Sequence, residues 1–384
     1  MKASRRAYDL LIACAVWNAN ENELQRVRDA ARAGVDWSTW IGLVRWHRLV
    51  PHAQRAISQS GAGAPAEIRD ALMAETRSIA AASLARAQQL VSLVRAMDRA
   101  GVAMLPFKGP ALSLAAYGDV GVRDSIDLDI VVHERDVDRA RAALAGEGYT
   151  SRSQMSPAQE RMLQRSFGHF VYAAPAGGAN VELHWRFASA RYPWSLRAAD
   201  VFARAVPLEL SGCAMRAPDA TDQLVLQAMH GARHQWERLE WLVAFSALLA
   251  QRNFSEQQLI ERARTNRSAC ALSIALRLAH DLLGAPMTPR LAGESDGASV
   301  AVLASRIARA IGSGMDSSDP PYALNVRMMD GAGDRARYIA RSVFTPTARE
   351  WELIRLPDAL LFLYYPIRLA RVAAMRLRSL FVRR

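Results

Sequence analysis

The spacing of apolar residues changes character twice along the 384-residue chain. Over residues 1–98 it is helical: Ile79, Leu84, Leu90, Leu93, Val94 and Met97 in "AETRSIAAASLARAQQLVSLVRAMDRAG" are expected on one face of a helix that Gly101 stops. The "GAGAP" stretch at 61–65 reads as the loop before that helix. Between 99 and 210, short apolar runs alternate with helix-like pieces, the pattern of an α/β unit. "VAMLPF" (102–107) predicts a strand, and "PALSLAAYG" a short helix opened by Pro110. "IDLDIVV" (126–132) predicts an alternating strand, and "ERDVDRARAALAGEGY" an amphipathic helix closed by glycines. After a polar connection, "GHFVYAAP" and "ANVELHWRF" flank "AGG" as the arms of a hairpin. From 211 to the end the helical period returns, with loops expected at the Pro and Gly clusters near 284–297 and 312–333. Within the latter, "SGMDSSDPPYALN" is expected to be mobile or to lie over a surface. The predicted class is α+β with an α/β core: a helical region at 1–98, a mixed-sheet core at 99–210 and a helical region at 211–384.

Composition narrows the class of protein more than its chemistry. A hydrophobic share of 51% supports a large core and excludes a disordered chain. The net charge of +12 is almost all arginine, as codon bias can also produce, so it does not by itself establish a nucleic-acid binder. Three scattered cysteines without a CxxC pair exclude a zinc ribbon or dithiol redox motif and suit a reducing, cytoplasmic setting. No stretch approaches the ~18 uncharged apolar residues of a membrane span. Asp9 interrupts the mild apolar run near the N-terminus, so no signal peptide is expected. The far end, "ALLFLYYPIRLARVAAMRLRSLFVRR", reads as a basic amphipathic helix, expected to pack on its own domain rather than on a membrane or RNA.

Only two lysines occur, Lys2 and Lys108, and Lys108 stands in "LPFKGPALSLAAYGDVGVRDSIDLDIVV". On a strand, Asp127 and Asp129 project from one face while Leu128 points to the other. Two carboxylates so close repel, and a hard divalent cation turns that repulsion into coordination; magnesium is the expected ion, with manganese as the alternative. Glu182 in "VELHW" alternates in the same way and joins the pair if the two strands are neighbours. Lys108 and Gly109 fall between a predicted strand and a helix start, where free N–H groups favour a phosphate. The compact lysine charge suits phosphate oxygens and Gly109 allows close approach. Arg123 is either a second cation for phosphate or a solvated loop residue. His184, on the face of Glu182, either touches a phosphate or orients the glutamate. His230 and His234 have metal-ligand spacing without an evident third ligand, and Trp185 and Trp236 read as core or wall residues. No GxSxG, Walker A or dinucleotide fingerprint is present.

Taken in order, Lys-Gly, Arg, Asp-x-Asp and "ELHW" resemble the nucleotidyltransferase fold of the DNA polymerase beta superfamily, and more narrowly a largely uncharacterised bacterial nucleotidyltransferase family. "MHGARHQWERLEWLV" and "FTPTAREWELIRLPDALLFLYYPIRLARV" are similar to further segments of that family. The resemblance implies that Asp127, Asp129 and Glu182 are catalytic and hold magnesium against a nucleoside triphosphate such as ATP. Lys108, Gly109, Arg123 and His184 would then contact the donor. Nucleoside monophosphate would pass to a hydroxyl acceptor, with small molecule, protein and tRNA all open. The superfamily uses Gly-Ser where this chain has Lys108-Gly109, and the family commonly places an aspartate at Ala244. Those departures keep a second reading open, a nucleotide-binding regulator without turnover; a toxin-like transferase acting on tRNA is a third.

Overall fold

A computed structural model describes residues 5–152, 155–175, 177–313 and 321–381. Helices α1 (Arg5–Cys14), α2 (Glu21–Arg32), α3 (Trp37–Trp46) and α4 (Val50–Ser60) lead into the long α5 (Ala66–Arg99). Local chemistry sets the ends: Asn20 and Glu23 form a reciprocal capping box on α2, Asp36 caps α3, and Gly101 follows α5 in the left-handed region. The apolar face expected along α5 holds except at Leu84, which is 51% exposed.

The core unit follows as β1 (Met104–Pro106), α6 (Gly109–Tyr117), β2 (Asp127–Val132), α7 (Val137–Gly146), β3 (Thr150–Ser151), α8 (Pro157–Ser166), β4 (His169–Ala173) and β5 (Asn180–His184). The five strands form one mixed sheet in the order β1-β2-β5-β4-β3, in which β2 and β5 run parallel and the other pairs antiparallel. The expected α+β architecture is what the chain adopts. Leu128, Ile130, Val132, Val181 and Leu183 point to one side, into a cluster with Leu90, Val94 and Met97 of α5 and Leu144 of α7. Helix packing on that side leaves the other side of β2 and β5 free for polar side chains.

Next come α9 (Ala198–Arg204) and the two-stranded hairpin of β6 (Val206–Leu210) and β7 (Cys213–Ala217). This hairpin replaces part of the helical reading after 210; its turn is Ser211-Gly212, both at positive φ, which the short strands need to reverse direction. The polar connection expected after α7 also contains a helix, α8, held by Arg141 on Glu160 at 2.7 Å.

The remainder is helical: α10 (Ala220–Arg233), α11 (Leu239–Ala250), α12 (Glu256–Thr265), α13 (Ala269–Leu283), α14 (Pro289–Ser295), α15 (Ala298–Ser313), α16 (Pro321–Arg327), α17 (Ala332–Phe344), α18 (Ala348–Leu353) and α19 (Tyr364–Phe381). The loops expected at 284–297 and 312–333 thus contain α14 and α16, while residues 314–320 of the Pro-rich stretch lie outside the described residues. Side chains of α1, α3 and α4 share one core with those of α6, α10, α11 and α13, so the helices from both ends of the chain enclose α6 together. α19 docks through buried Tyr364 and through Arg368 and Arg371 on Glu350, and leaves Tyr365, Leu369 and Met375 exposed. Among the described residues, no helix is long and apolar enough to cross a membrane.

Candidate active site

The parallel pairing of β2 and β5 sets Asp129 directly beside Glu182, with Asp127 two residues earlier beside Asn180 and Val131 beside His184. Side chains at alternate positions share a face, so both aspartates, Glu182 and His184 rise from the side not covered by α5 and α7. His169 of β4 joins them because it is registered with His184, and the two rings stack at 4.7 Å.

Lys108 ends the strand-to-helix turn and is the N-cap residue of α6. Its Nζ lies 2.6 Å from Asp129 Oδ1. His184 Nε2 stands 3.1 Å from Glu182 and 3.3 Å from Asp129, bridging the acids from below. Gly109 adopts a φ of +57°, and a Cβ there would lie 3.5 Å from the Asp127 carbonyl oxygen. Glycine at this point removes the backbone penalty of a left-handed residue and keeps the helix start close to β2.

The electrostatics follow from this crowding. Burial, then the charges of Glu182 and Asp129, push the Asp127 carboxyl up from its ordinary value against the pull of Lys108 and Arg48. Burial also acts to raise Asp129, but Lys108 and His184 outweigh it and hold that carboxyl well below the usual range. Glu182 is likewise lowered, burial opposing and the hydrogen bond from His184 prevailing. His184 itself is raised, because the two carboxylates outweigh its burial. His169 is lowered to about 4 by burial and by His184, and so stays neutral near pH 7.

The acids open into a cavity of about 290 Å³. Its walls bring in Arg48, Arg123 and Arg233 beside Lys108, and His230 of α10, His234 just after it and Trp241 of α11. Arg123 is not a solvated loop residue: it is 6% exposed and bonds Glu240 of α11, itself 1% exposed, at 2.6 Å through Nε. Its Nη1 has no protein partner among the described residues, which leaves a donor at the cavity wall. His230 and His234 are 4.7 Å apart and pack on Trp241 at 4.9 and 5.2 Å, with no carboxylate or third histidine completing a metal set there among the described residues. Burial and the neighbouring cations lower both, His234 to about 4. Trp185 and Trp236 are core residues; Gly231 makes room for Trp236, whose ring a Cβ there would meet at 2.3 Å.

Sequence reasoning therefore named Lys108, Gly109, Arg123, Asp127, Asp129, Glu182 and His184, and the fold gathers all seven around one sheet face. It missed Arg48, Arg233, Trp241 and His169. Nothing distinguishes two arginines among so many, but pairing the arms of the predicted hairpin would have put His169 opposite His184.

Paired acids on a mixed sheet, beside a helix start that carries a lysine and a glycine, are the arrangement the sequence resemblance led one to expect of a nucleotidyltransferase. Residues 33–284 match the family model described as "Uncharacterised nucleotidyltransferase", and the chain belongs to that family. It is thus a transferase of phosphorus-containing groups. The matched span contains every residue of the 290 Å³ cavity. No curated protein matches the chain.

Proposed function

We propose that the protein transfers a nucleoside monophosphate from a nucleoside triphosphate to a hydroxyl acceptor, using a divalent cation held by Asp127, Asp129 and Glu182. One observation carries this reading: three carboxylates line a single cavity whose other walls are cationic. The donor set suits such an ion, since all three groups offer hard oxygens. The Lys108 ammonium against Asp129 also marks the position as one that attracts positive charge. Magnesium is the expected ion, and it would polarise the α-phosphate and stabilise charge on the entering and leaving oxygens.

The protein's own groups account for the rest. Lys108 neutralises Asp129 in the ligand-free chain and turns to a phosphate oxygen when the donor binds. The N–H groups at the start of α6 face the same phosphates, as an unsatisfied helix N-terminus does. Arg48, Arg233 and the free Nη1 of Arg123 offset the remaining phosphate charge. Trp241 and the exposed Ile126 offer apolar surface against which a base can lie. His184 holds Glu182 in place. The acceptor oxygen bonds to the α-phosphorus as the α–β bridging bond breaks, pyrophosphate leaves with the electron pair, and the hydroxyl proton passes to a Glu182 oxygen. Positioning and charge neutralisation supply most of the rate.

Incubation of the purified protein with each α-labelled triphosphate, magnesium and a cell extract tests the reading. Label should appear in a macromolecule or metabolite, and chelation should abolish it. Transfer that survives the joint substitution Asp127→Asn and Asp129→Asn would falsify it.

A further inference from the structure

The catalytic cavity is continued on its far side. Lys108, His230 and Arg233 also border a second hollow of about 10 Å³. That hollow shares Phe187, Trp194 and Met229 with a third, open chamber of about 690 Å³. The middle space is a waist with room for about one water-sized group. The chamber has the size of a small-molecule site, typically ~300–1,000 Å³.

Two side chains here carry polar atoms that the fold leaves unused. Gln227 on α10 is 2% exposed and lines the waist, yet neither its amide nitrogen nor its oxygen has a partner among the described residues. Trp194 Nε1, between waist and chamber, is unpaired in the same way. Buried polar atoms are normally bonded, so these await a ligand's polar group. The chamber wall, for its part, is cationic without balance. It carries Arg165, Arg186, Arg197 and Arg341 against a single carboxylate, Glu134. Glu134 takes Arg186 at 3.1 Å and Asp200 takes Arg197 at 2.6 Å, which leaves Arg165 and Arg341 without a carboxylate among the described residues. Burial and the nearby Arg337, Arg186 and Arg267 hold the Arg341 guanidinium below its ordinary value, as expected where positive charges crowd. Tyr192 and Trp194, stacked at 4.4 Å, give the chamber a flat aromatic side.

We propose that this chamber is the acceptor subsite and that the acceptor is a small molecule bearing a carboxylate or phosphate in addition to its hydroxyl. The inference rests on the nucleotidyl-transfer reading of the neighbouring cavity. Arg165 and Arg341 hold the anionic group. The hydroxyl-bearing end enters the waist, where the Gln227 amide orients it beside Lys108 and His184. The bond changes are those already given: acceptor oxygen to α-phosphorus, pyrophosphate out with the electron pair, proton to Glu182. Arg341 lies beyond the matched family span, on α17 of the C-terminal part.

Calorimetry with phenyl phosphate and with phenol tests the chamber directly. Wild type should bind phenyl phosphate about tenfold or more tightly than phenol, as loss of a charge-assisted contact predicts. The exposed pair Arg165→Glu and Arg341→Glu should lose that preference while circular dichroism stays native, and Asp127→Asn should keep it. Equal binding of phenol, full binding by the charge-reversed protein, or loss confined to Lys108→Met would overturn the proposal. In label transfer, the acceptor should be retained from extract by an anion-exchange resin. The charge-reversed protein should raise the acceptor KM about tenfold with the triphosphate KM unchanged. Transfer with an unchanged acceptor KM, or an acceptor that flows through the resin, overturns the chamber alone; no transfer by wild type removes the reading on which it rests.

Discussion

Two groups of charges stand at or beside the same cavity and are built on opposite terms. Arg123 and Glu240 form one cation and one anion, both almost wholly buried, bridging the β2 approach to α11. On the sheet face, Asp127, Asp129 and Glu182 have Lys108 and His184 as their bonded partners within the fold, and Arg48 acts on Asp127 from across the cavity. A balanced pair is what a fold needs to bury ions without loss. Three acids crowded on one face are the harder case, and the Asp127 carboxyl is raised first by its burial and then by the charges of Glu182 and Asp129. Nearness in space therefore does not make residues equivalent: the first group braces the wall, and the second is the one proposed to hold an ion.

Charge removal should separate the two most sharply. Asp127→Asn with Asp129→Asn is expected to lower label transfer by about a thousandfold or more, on the scale of lost electrostatic stabilisation at a reacting centre. The single change Asp127→Asn relieves repulsion, so its melting temperature should match or exceed wild type; a marked fall would contradict the mutual repulsion of the acids. Glu240→Gln is the reverse case. It strands the Arg123 guanidinium, and denaturant titration should show a loss of about 3–5 kcal/mol. Gly109→Ala comes next, costing about 1–2 kcal/mol from the left-handed backbone alone, since a Cβ there meets only ordinary contacts. Its triphosphate KM should also rise.

The smallest effect concerns His52, which sits edge-on between Trp17 and Tyr117 with neither ring nitrogen partnered among the described residues. Burial, then Arg123 and Arg55, lower it to about 3. Its folded value lies below the unfolded one near 6.5, so between the two the unfolded chain binds a proton that the folded chain refuses. Stability is therefore lost as pH falls through that window, by under about 1 kcal/mol near pH 6. His52→Phe should flatten the acid side of the stability profile. An unchanged slope would mean that burial, with Arg123 and Arg55 beside it, does not hold His52 neutral in the folded chain.

The residues of the candidate site were legible because their signals are local. The period-two spacing of Asp127 and Asp129 and the isolated lysine beside a glycine need no knowledge of the fold. Glu182 required one long-range fact, that β5 lies beside β2. Arg123 was visible only as a cation, because the partner that decides its role is 117 residues away. The β6–β7 hairpin escaped notice because Pro207 and a largely exposed surface blur the alternation that marks a half-buried strand. The helix α8 escaped because its sequence is polar and its hold on the sheet is an ion pair rather than an apolar stripe. The waist and chamber could not be read at all, being assembled from the turn before α6, the end of α8, β5 and the segment after it, α9, α10 and α17.

Since β2 and β5 run in the same direction, the chain between them must travel back across the sheet, and residues 133–179 make that journey. Insertions along the excursion would leave the two strands in step. Removal of one residue between 127 and 129, or between 180 and 182, would turn an acid toward the apolar helices and split the trio. Length variation among descendants of this gene should therefore gather in the return path, while the two strands keep count.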